Sequence, residues 1–372
     1  MGRLSRAEQQ EITRGRVLDA AKVEFTERGF RGSTVDGIAD RAELTRGAVY
    51  SNFPGKRALY FAVLAREAEQ APAPSAHPAG ATPAAALGMF ASTWAERLPR
   101  SNRYAYTASE QRLSSPVLSI DLIPEIQGDE RIRWSFSQLM KLDAILLGAT
   151  LGALDQQRGA PQRFLRIAES VLTILYGATQ LSFAAPDFVD PAHVVGLCEQ
   201  IASLESVDDA PAPPHEVTGP HPQYVNELWS PPICFDMLRN TTARPDGDRV
   251  VTVLGMHRIA AIQHLIALSP PHTDITLALV TDDRTGELAP LARLALADFS
   301  RSLRYAFPDS ALPDIQVIVD ESGAIPTACG LESVDDNTEA AVVISAGRIT
   351  LRASGPDACH TAFAASPERT KV

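Results

Sequence analysis

Apolar and polar positions follow a helical period through the first 69 residues of the chain. Val17, Ala20, Ala21 and Phe25 recur on one face of a long predicted helix. Gly29 stands where this helix should end, because glycine readily takes the left-handed conformation of a C-terminal cap. The pattern predicts an amphipathic helix that buries this face against its neighbours.

Two shorter helical patterns and a further helix follow. Ser33 or Thr34 caps the first of them, and Thr45 caps the second. Pro54-Gly55 breaks the second, and Lys56 opens the further helix. Two short helices joined by a tight turn have the outline of a helix-turn-helix DNA reader.

The middle of the chain, residues 83–206, is helical throughout by the same criterion. Its runs 139–154 and 168–183 are apolar around most of their circumference, which is typical of helices in a core or an interface. The predicted helices cover 83–98, 100–113, 129–158, 161–183 and 190–206.

Residues 224–364 alternate β-rich runs with helical runs. This alternation predicts a parallel sheet with crossovers, and a final hairpin through Ala346-Gly347 makes the sheet mixed. The predicted strands are 250–254, 275–280, 315–319, 340–345 and 348–353, and the predicted helices are 257–268, 287–306 and 356–364.

Proline-rich stretches at roughly 70–86 and 206–222 separate these three blocks. A length of 372 residues also exceeds that of one ordinary domain. We therefore predict a multidomain protein, with helical domains at 1–69 and 83–206 and an α/β domain at 224–364.

The net charge of −11 is unevenly distributed. Residues 1–66 contain 12 Lys and Arg against 8 Asp and Glu, a balance of +4 that leaves −15 on the remainder. A basic segment on an acidic body is typical of a protein in which one domain meets phosphate. An ordinary solvated helix surface gives the same count, so charge alone leaves both interpretations open.

The cysteines are far apart and form no CxxC pair or zinc pattern. The polar N-terminus is unlike a signal peptide, and no run of 18 apolar residues occurs. We expect a cytoplasmic protein with free thiols, no membrane span, no metal and no cofactor. The cysteines are Cys198, Cys234, Cys329 and Cys359.

The helix-turn-helix pattern resembles the TetR family of transcriptional regulators over roughly residues 10–66. Glu43 departs from that pattern, because the family very often has glycine in this turn. A glutamate in the left-handed conformation costs on the order of 1 kcal/mol, so the turn is expected to differ slightly. The matching order is Thr34, Ile38-Ala39, Leu44-Thr45-Arg46-Gly47, Tyr50, Phe53, Lys56 and Leu59.

The resemblance implies a recognition helix that presents its N-terminal side chains to the major groove. Arg46 is the best candidate for base readout, because its guanidinium matches O6 and N7 of guanine; a solvated surface charge is the alternative. Thr34 and Lys56 lie at helix N-termini that can hold phosphate, and Tyr50 is either a further phosphate contact or core. The predicted DNA-binding residues are Thr34, Thr45, Arg46, Gly47, Tyr50, Ser51, Asn52 and Lys56.

In TetR-like regulators the next region binds an effector and forms the dimer. The resemblance therefore implies a homodimer on a double-stranded DNA operator, an unknown small-molecule effector, and a dimer interface built from 161–183 and 190–206. An effector pocket would be apolar with a few polar groups, although each candidate also fits a simple core role. The candidates are Trp94, Tyr104, Trp134, Phe136, Met140 and Tyr176.

The element order in 224–364 resembles the thioredoxin-like fold, particularly its peroxiredoxin-related branch. The stretches VIVDESGAI and VVISAGRIT look like late strands of that branch. Where the family places its redox cysteine, this chain has Gly255-Met256-His257-Arg258-Ile259. Without a thiol there is no nucleophile, so we expect the fold without redox activity and without catalytic residues. A generic α/β domain of other ancestry is the alternative.

Two functions remain open at this point. The first is a ligand-responsive transcriptional repressor that acts as a homodimer on a palindromic operator and is not an enzyme. The second places an enzyme activity, a redox sensor or a second-ligand sensor in residues 224–364, with DNA binding serving to regulate it.

Overall fold

The structure, a computed structural model, describes residues 5–72, 78–98, 121–155, 161–185, 187–203, 219–268, 273–282 and 284–365. The helix predicted over 100–113 lies outside these residues. Within them, the helices that precede the first strand are α1 (Arg6–Gly32), α2 (Val35–Arg41), α3 (Arg46–Asn52), α4 (Lys56–Gln70), α5 (Pro83–Ala95), α6 (Leu122–Gln127), α7 (Glu130–Leu154), α8 (Pro161–Ala184) and α9 (Pro191–Ile201).

Helices α1 to α4 form the helix-turn-helix unit that the sequence predicts. The apolar face of α1 is buried, with Val17 and Phe25 at most 1% exposed. Gly29 interrupts α1 with a φ of +68°, at the predicted helix end. Phe25 packs edge-on against Tyr60 of α4, with the ring centroids 5.1 Å apart. Aromatic packing therefore ties α1 to α4.

The turn between α2 and α3 holds Glu43 in the left-handed conformation, with a φ of +49°. Its side chain is 87% exposed and reaches Arg16 only at 3.7 Å. We expect Glu43→Gly to raise the free energy of unfolding by about 0.5–1 kcal/mol, because glycine takes this conformation without strain. Urea unfolding of the full chain measures the change. Glu43→Ala keeps the Cβ and should gain nothing; an equal gain in both variants would rule out strain as the cause.

The helical block is built around two helix pairs: α5 packs on α9, and α7 packs on α8. Helix α7 starts at an Asp129 cap, which accepts hydrogen bonds from two backbone amides, and ends at Leu154 because Asp155 is extended. The helices predicted over 129–158 and 161–183 are confirmed with small shifts at their ends. The short helix α6 was not predicted.

The C-terminal part is a mixed α/β domain. Its strands are β1 (Gln223–Leu228), β2 (Cys234–Asp236), β3 (Thr241–Ala243), β4 (Arg249–Gly255), β5 (Ile275–Val280), β6 (Ile315–Val319), β7 (Glu339–Ser345) and β8 (Arg348–Ser354). Its helices are α10 (Ile262–Leu268), α11 (Leu288–Ala306), α12 (Ala324–Ala328) and α13 (Ala358–Ala364), with a 3-10 turn before α10 at Ile259–Ala261.

Six of these strands form one sheet in the order β1-β8-β7-β4-β5-β6. Strands β4, β5 and β6 are mutually parallel, whereas β7 and β8 form an antiparallel hairpin beside β4. The mixed sheet is therefore as predicted, and β5 and β6 match their predicted bounds. The first three strands, with β2 and β3 paired apart from the main sheet, were missed.

Both faces of the sheet are covered. Side chains of β4 alternate: Val250 and Leu254 face the large core that continues into the helical blocks, while Val251 and Val253 face a smaller cluster. Every residue of β5 is buried, as expected for a central strand with helices on both sides.

The α/β domain packs directly on the helix-turn-helix unit. Helix α11 lies along α4, and the large hydrophobic core includes Leu59 and Leu64 of α4 together with Leu291 and Leu294 of α11. Gly286, with a φ of +66°, precedes α11; a Cβ there would come within 3.2 Å of Pro54, in the turn between α3 and α4. The three predicted blocks thus share one continuous core.

Ion pairs hold both ends of α4. Near its start, Arg57 forms a two-pronged pair with Glu287 at 2.8 and 2.9 Å, and its Nη2 also donates to Asp129 at 2.8 Å. Near its end, Glu69 accepts two hydrogen bonds from Arg293, both at 2.7 Å. The pKa of Arg293 is raised, first by its hydrogen bond to Glu69. Helix α4 is therefore fixed to both the α/β domain and the helical block.

Arg57→Ala should lower the free energy of unfolding by about 2–3 kcal/mol, because it leaves the buried carboxylate of Glu287 without its partner. A double-mutant cycle with Glu287→Ala measures the pair itself. The double variant should lose less stability than the sum of the single losses. Additive losses would mean that the two side chains do not interact in solution.

Among the described helices, none is long and apolar enough to cross a membrane.

Candidate DNA-binding surface and buried polar sites

Helix α3, the predicted recognition helix, is short and held at both ends. Thr45 caps its start by accepting a hydrogen bond from the Ala48 amide. Val49, 1% exposed, anchors its inner face, and Phe53 ends it in an extended conformation. The outer face of the helix is left free to meet another molecule.

Arg46 is an exposed charged group at the start of α3, with 60% of its side chain accessible. Its Nη2 donates to the Tyr50 hydroxyl at 3.4 Å, and its Nη1 lies 3.5 Å from Asp36 Oδ1. The hydrogen bond to Tyr50 and then the charge of Asp36 raise the pKa of Arg46. A permanently charged guanidinium therefore stands at the N-terminus of α3, held only by solvent-accessible partners.

The other predicted residues of α3 differ in what they offer. Gly47 faces open space, since an added Cβ would meet only Thr45 Oγ1, at 3.8 Å. Ser51 and Asn52 each donate to the Ala48 carbonyl, at 2.9 and 2.8 Å. Tyr50 is 40% exposed, so it is not a core residue. The fold leaves room for a larger residue at position 47. A glycine would be needed there only if a ligand approached the backbone closely.

Thr34 and Lys56 both lie at helix starts but serve the fold as well. Thr34 caps α2 and accepts from the Gly37 amide at 3.0 Å. The Lys56 ammonium donates to the carbonyls of Phe30 and Ser33, at 2.9 and 3.1 Å, and lies 4.4 Å from the centre of the Phe30 ring. The Lys56 ammonium is therefore held at the end of α1, which limits its freedom to reach a phosphate.

Two arginines of α1 stabilise the helix-turn-helix unit, and the sequence analysis did not identify them. Arg14 donates to the Asn52 carbonyl at 3.2 Å and lies 4.4 Å from the Phe53 ring centre. Arg16 donates to the Ala42 carbonyl at 2.7 Å. Both satisfy the carbonyl ends of short helices. Their spacing along α1 carries no signal of this, because the partners lie more than 25 residues away in sequence.

The predicted ligand residues divide into two groups. Trp94, Phe136 and Tyr176 form an aromatic cluster, with the Tyr176 ring 4.9 Å from Trp94 and 6.1 Å from Phe136. The Trp94 indole donates to Thr179 at 2.9 Å. Met140 packs against the large hydrophobic core, whereas Trp134 lies outside the aromatic cluster and is 53% exposed. Tyr104 lies outside the described residues.

A buried polar cluster lies where the helical block meets α11. Asp298 of α11 is 1% exposed and pairs with Arg97 and Arg301. Asp143 of α7 is 2% exposed, and its Oδ1 has no hydrogen-bond partner within the described residues. Burial, and then the charge of Asp298, raise the pKa of Asp143 well above its usual value. The folded protein therefore favours the protonated form of Asp143 more than the unfolded chain does.

Asp143 makes stability depend on pH. The unfolded chain releases this proton near pH ~4, whereas the raised pKa in the folded protein shifts its release to higher pH, so the folded state is progressively disfavoured as pH rises above about 4. Compared with wild type, Asp143→Asn should gain stability as the pH of a urea unfolding series rises from about 4.5 to about 7.5. Asp40→Asn, at an exposed position of α2, is the control. A constant difference between wild type and Asp143→Asn would show that Asp143 is already ionised.

The thiols are poor nucleophiles. Burial is the main cause that raises the pKa of Cys198 to about 12, that of Cys234 to about 11 and that of Cys329 to about 12. Burial also raises the pKa of Cys359. No group of three or more potential metal ligands occurs in the part of the chain that the structure describes.

Comparison with known proteins locates the similarity in the reader. Residues 17–63 match the family model described as "Bacterial regulatory proteins, tetR family". The HTH-type transcriptional regulator SrpR of Pseudomonas putida is 48% identical over 65 residues, which cover 18% of this chain and 30% of that protein. The uncharacterized HTH-type transcriptional regulator TtgW, also of Pseudomonas putida, is 48% identical over 65 residues, covering 18% and 48%.

A solved TetR-like transcriptional regulator from Rhodococcus sp. RHA1 is 22% identical, over 54% of this chain and 96% of that one, with a TM-score of 0.28. The chain thus matches less than half of the length of the two curated relatives. The similarity to those relatives lies in a segment about the size of the helix-turn-helix unit.

Proposed function

Because its N-terminal segment is that of TetR family transcriptional regulators, we propose that the whole chain is a ligand-responsive repressor that binds a palindromic operator as a homodimer. The observation that carries this proposal is the exposed start of α3, where a charged Arg46 projects from a rigidly capped helix. Two such helices in a dimer would enter successive major grooves about 34 Å apart.

Each residue of the reader has a separate task in this proposal. Arg46 reads guanine, and Gly47 lets the backbone approach the DNA. Thr34, Thr45 and Tyr50 contact phosphates through hydroxyl groups. Ser51 and Asn52 lie one turn further along α3, and Lys56 contributes positive charge behind the helix. Base contacts set the sequence, and phosphate contacts set the register.

Exposed apolar side chains on the last helices of the middle block support the dimer. Leu181 of α8 is 41% exposed, Leu197 of α9 is 46% exposed, and Phe188 between these helices is 74% exposed. A contiguous patch of exposed apolar side chains is typical of a subunit interface, and we propose that these three side chains contribute to one. In this proposal α8 and α9 pair with their copies in the second subunit.

For the α/β domain we propose a thioredoxin-like fold that has lost redox chemistry. The support is the strand order, in which central β4 has a parallel neighbour on one side and an antiparallel hairpin on the other. His257 and Arg258 follow β4 in place of a cysteine. The raised pKa values of the thiols disfavour the thiolate that redox catalysis requires. A sensor role suits this domain better than an enzyme role.

A gel-shift titration of the full-length protein on its own upstream DNA tests the proposal. Binding should weaken steeply between about 50 and 200 mM salt, because several phosphates are neutralised, and unrelated DNA of equal length should bind far less tightly. No binding at low salt, or equal binding to both DNAs, would refute a sequence-specific regulator. A peroxidase or disulfide-reductase assay on the same sample tests the second function; turnover would establish it.

A further inference from the structure

A cavity of about 210 Å³ lies between α7 and the α/β domain. Trp134 and Gln138 of α7 form one wall. The opposite wall comes from the loop after β4, the start of β7 and the start of α13. The side chains that matter there are His257, Arg258, Glu339 and His360. The cavity is therefore shared between the helical block and the additional domain.

Its position in the sheet is one at which α/β domains bind ligands. In open sheets, ligands bind outside the carboxyl ends of parallel strands, and this cavity lies beyond the carboxyl end of β4. Gly255 closes that strand end; a Cβ there would stand 2.3 Å from the Asp335 carbonyl oxygen. Glycine therefore lets the loop before β7 pack closely on the end of β4, next to Glu339, which lines the cavity.

The cavity walls are polar but their main charges cancel. Arg258 pairs with Glu339, which is only 4% exposed, with Nε 3.1 Å from Oε2. Gln138 accepts from the Ala260 amide at 3.0 Å through its side-chain oxygen, which leaves its amide nitrogen as a donor. Asp357 also lines the cavity and has an interaction partner of its own, so the charged groups of the walls are already engaged. A charged occupant would lose hydration without gaining a matched counter-charge.

Two aromatic groups complete the site. The Trp134 ring is 53% exposed although it stands beside a cavity. The Nε2 atom of His257 is buried and has no hydrogen-bond partner among the described residues. A polar atom left in this state is costly, and an occupant can recover that loss if the imidazole turns towards it. A flat molecule could stack on Trp134 and bond to His257.

We propose that this cavity binds a small, neutral, planar heterocycle with adjacent hydrogen-bond donors and acceptors, about the size of a nucleobase. The volume equals that of roughly seven water molecules at about 30 Å³ each, which is below the range of about 300–1,000 Å³ for drug-sized ligands. One or two fused rings match this volume. The aromatic cluster around Tyr176 is separate from this site.

A chain of hydrogen bonds leads from this cavity to the reader, and this part of the inference rests on the proposed function. The His257 amide donates to the Asp336 carbonyl at 2.8 Å, and Arg131 Nε donates to the Asp336 carboxylate at 2.8 Å. Arg131 lies at the start of α7, two residues after Asp129, which binds Arg57 of α4. A ligand that moves the loop after β4 therefore acts on the helix that orients α3.

Calorimetric titration of the full-length protein tests the site. Adenine and uracil serve as neutral probes, and benzoate and benzylamine as anionic and cationic probes of similar size. At least one neutral probe should bind, more tightly than both charged probes, and Trp134→Ala should weaken it at least tenfold. Tyr224→Ala, which removes a 71% exposed aromatic ring from β1, is the matched control and should bind as wild type does.

Failure of both neutral probes to bind would overturn the site. Tighter binding of a charged probe would overturn the ligand class, and unchanged binding by Trp134→Ala would overturn the location. A gel shift with and without the bound probe then tests the link to DNA. A probe that binds but leaves operator affinity unchanged would refute the link alone, and a protein that never binds DNA would refute the proposed function while the calorimetric result stands.

Discussion

A chain that ends at residue 203 should fail to give a stable DNA-binding protein, although it retains the whole reader and the helical block. Loss of α11 exposes the apolar face of α4, where Leu59 and Leu64 are completely buried in the intact chain. Each such side chain contributes about 1.5–3 kcal/mol when buried. Because about 1 kcal/mol shifts the melting temperature by roughly 2–4 °C at this size, we expect a fall of more than about 10 °C, or aggregation.

The control for this experiment keeps the contact between α4 and α11 and breaks only the covalent connection between the helical block and the α/β domain. A protease site inserted between residues 203 and 219 of the full-length protein allows cleavage after folding. The cleaved protein should keep its melting temperature and its DNA affinity, because α4 and α11 remain packed. A chain ending at residue 203 that is monodisperse and melts with the full-length protein would show that the α/β domain is an accessory.

Arg46→Ala should weaken operator binding by roughly 5- to 150-fold, which corresponds to about 1–3 kcal/mol for a bidentate contact to guanine. Affinity for unrelated DNA should change far less, because phosphate contacts remain. Arg46→Lys should restore little, since an ammonium lacks the planar fork of the guanidinium. Fluorescence anisotropy with labelled operator and unrelated duplexes measures both affinities at one salt concentration.

Arg348→Ala is the charge-matched control for this variant. Arg348 lies on β8 of the α/β domain and is exposed, so its loss removes one positive charge at a distance from the reader. It should leave operator affinity unchanged. Equal losses of operator affinity in Arg46→Ala and Arg348→Ala would mean that Arg46 contributes only its positive charge. Unchanged operator affinity in Arg46→Ala would mean that Arg46 does not contact the bases.

The local chemistry of the reader could be predicted from the sequence. Thr34 and Thr45 cap α2 and α3 as their residue type and position indicated. Glu43 takes the left-handed conformation that the turn requires. Strands β5 and β6 match their predicted ends because each is a short apolar run between polar residues. All these features depend on neighbours within a few residues.

The features that the sequence did not reveal depend on distant partners. Strand β1 is mostly exposed and polar, with the burial of an edge strand, so it has no periodic signal. Lys56 looked like a phosphate ligand, yet its contacts to Phe30 and Ser33 become visible only once α1 and α4 are packed. The docking of α11 on α4 has one signal in the sequence, which is that α4 is apolar on nearly every side. A helix that packs against a single neighbour needs only one apolar face.

Footprinting of the full-length protein on its own upstream DNA is the most direct test of the central claim, that paired α3 helices read an operator. We predict two protected patches related by a dyad, with centres about one helical turn of DNA apart, and loss of both patches in Arg46→Ala at the same protein concentration. A single patch, uniform protection along the fragment, or an unchanged footprint with Arg46→Ala would contradict it.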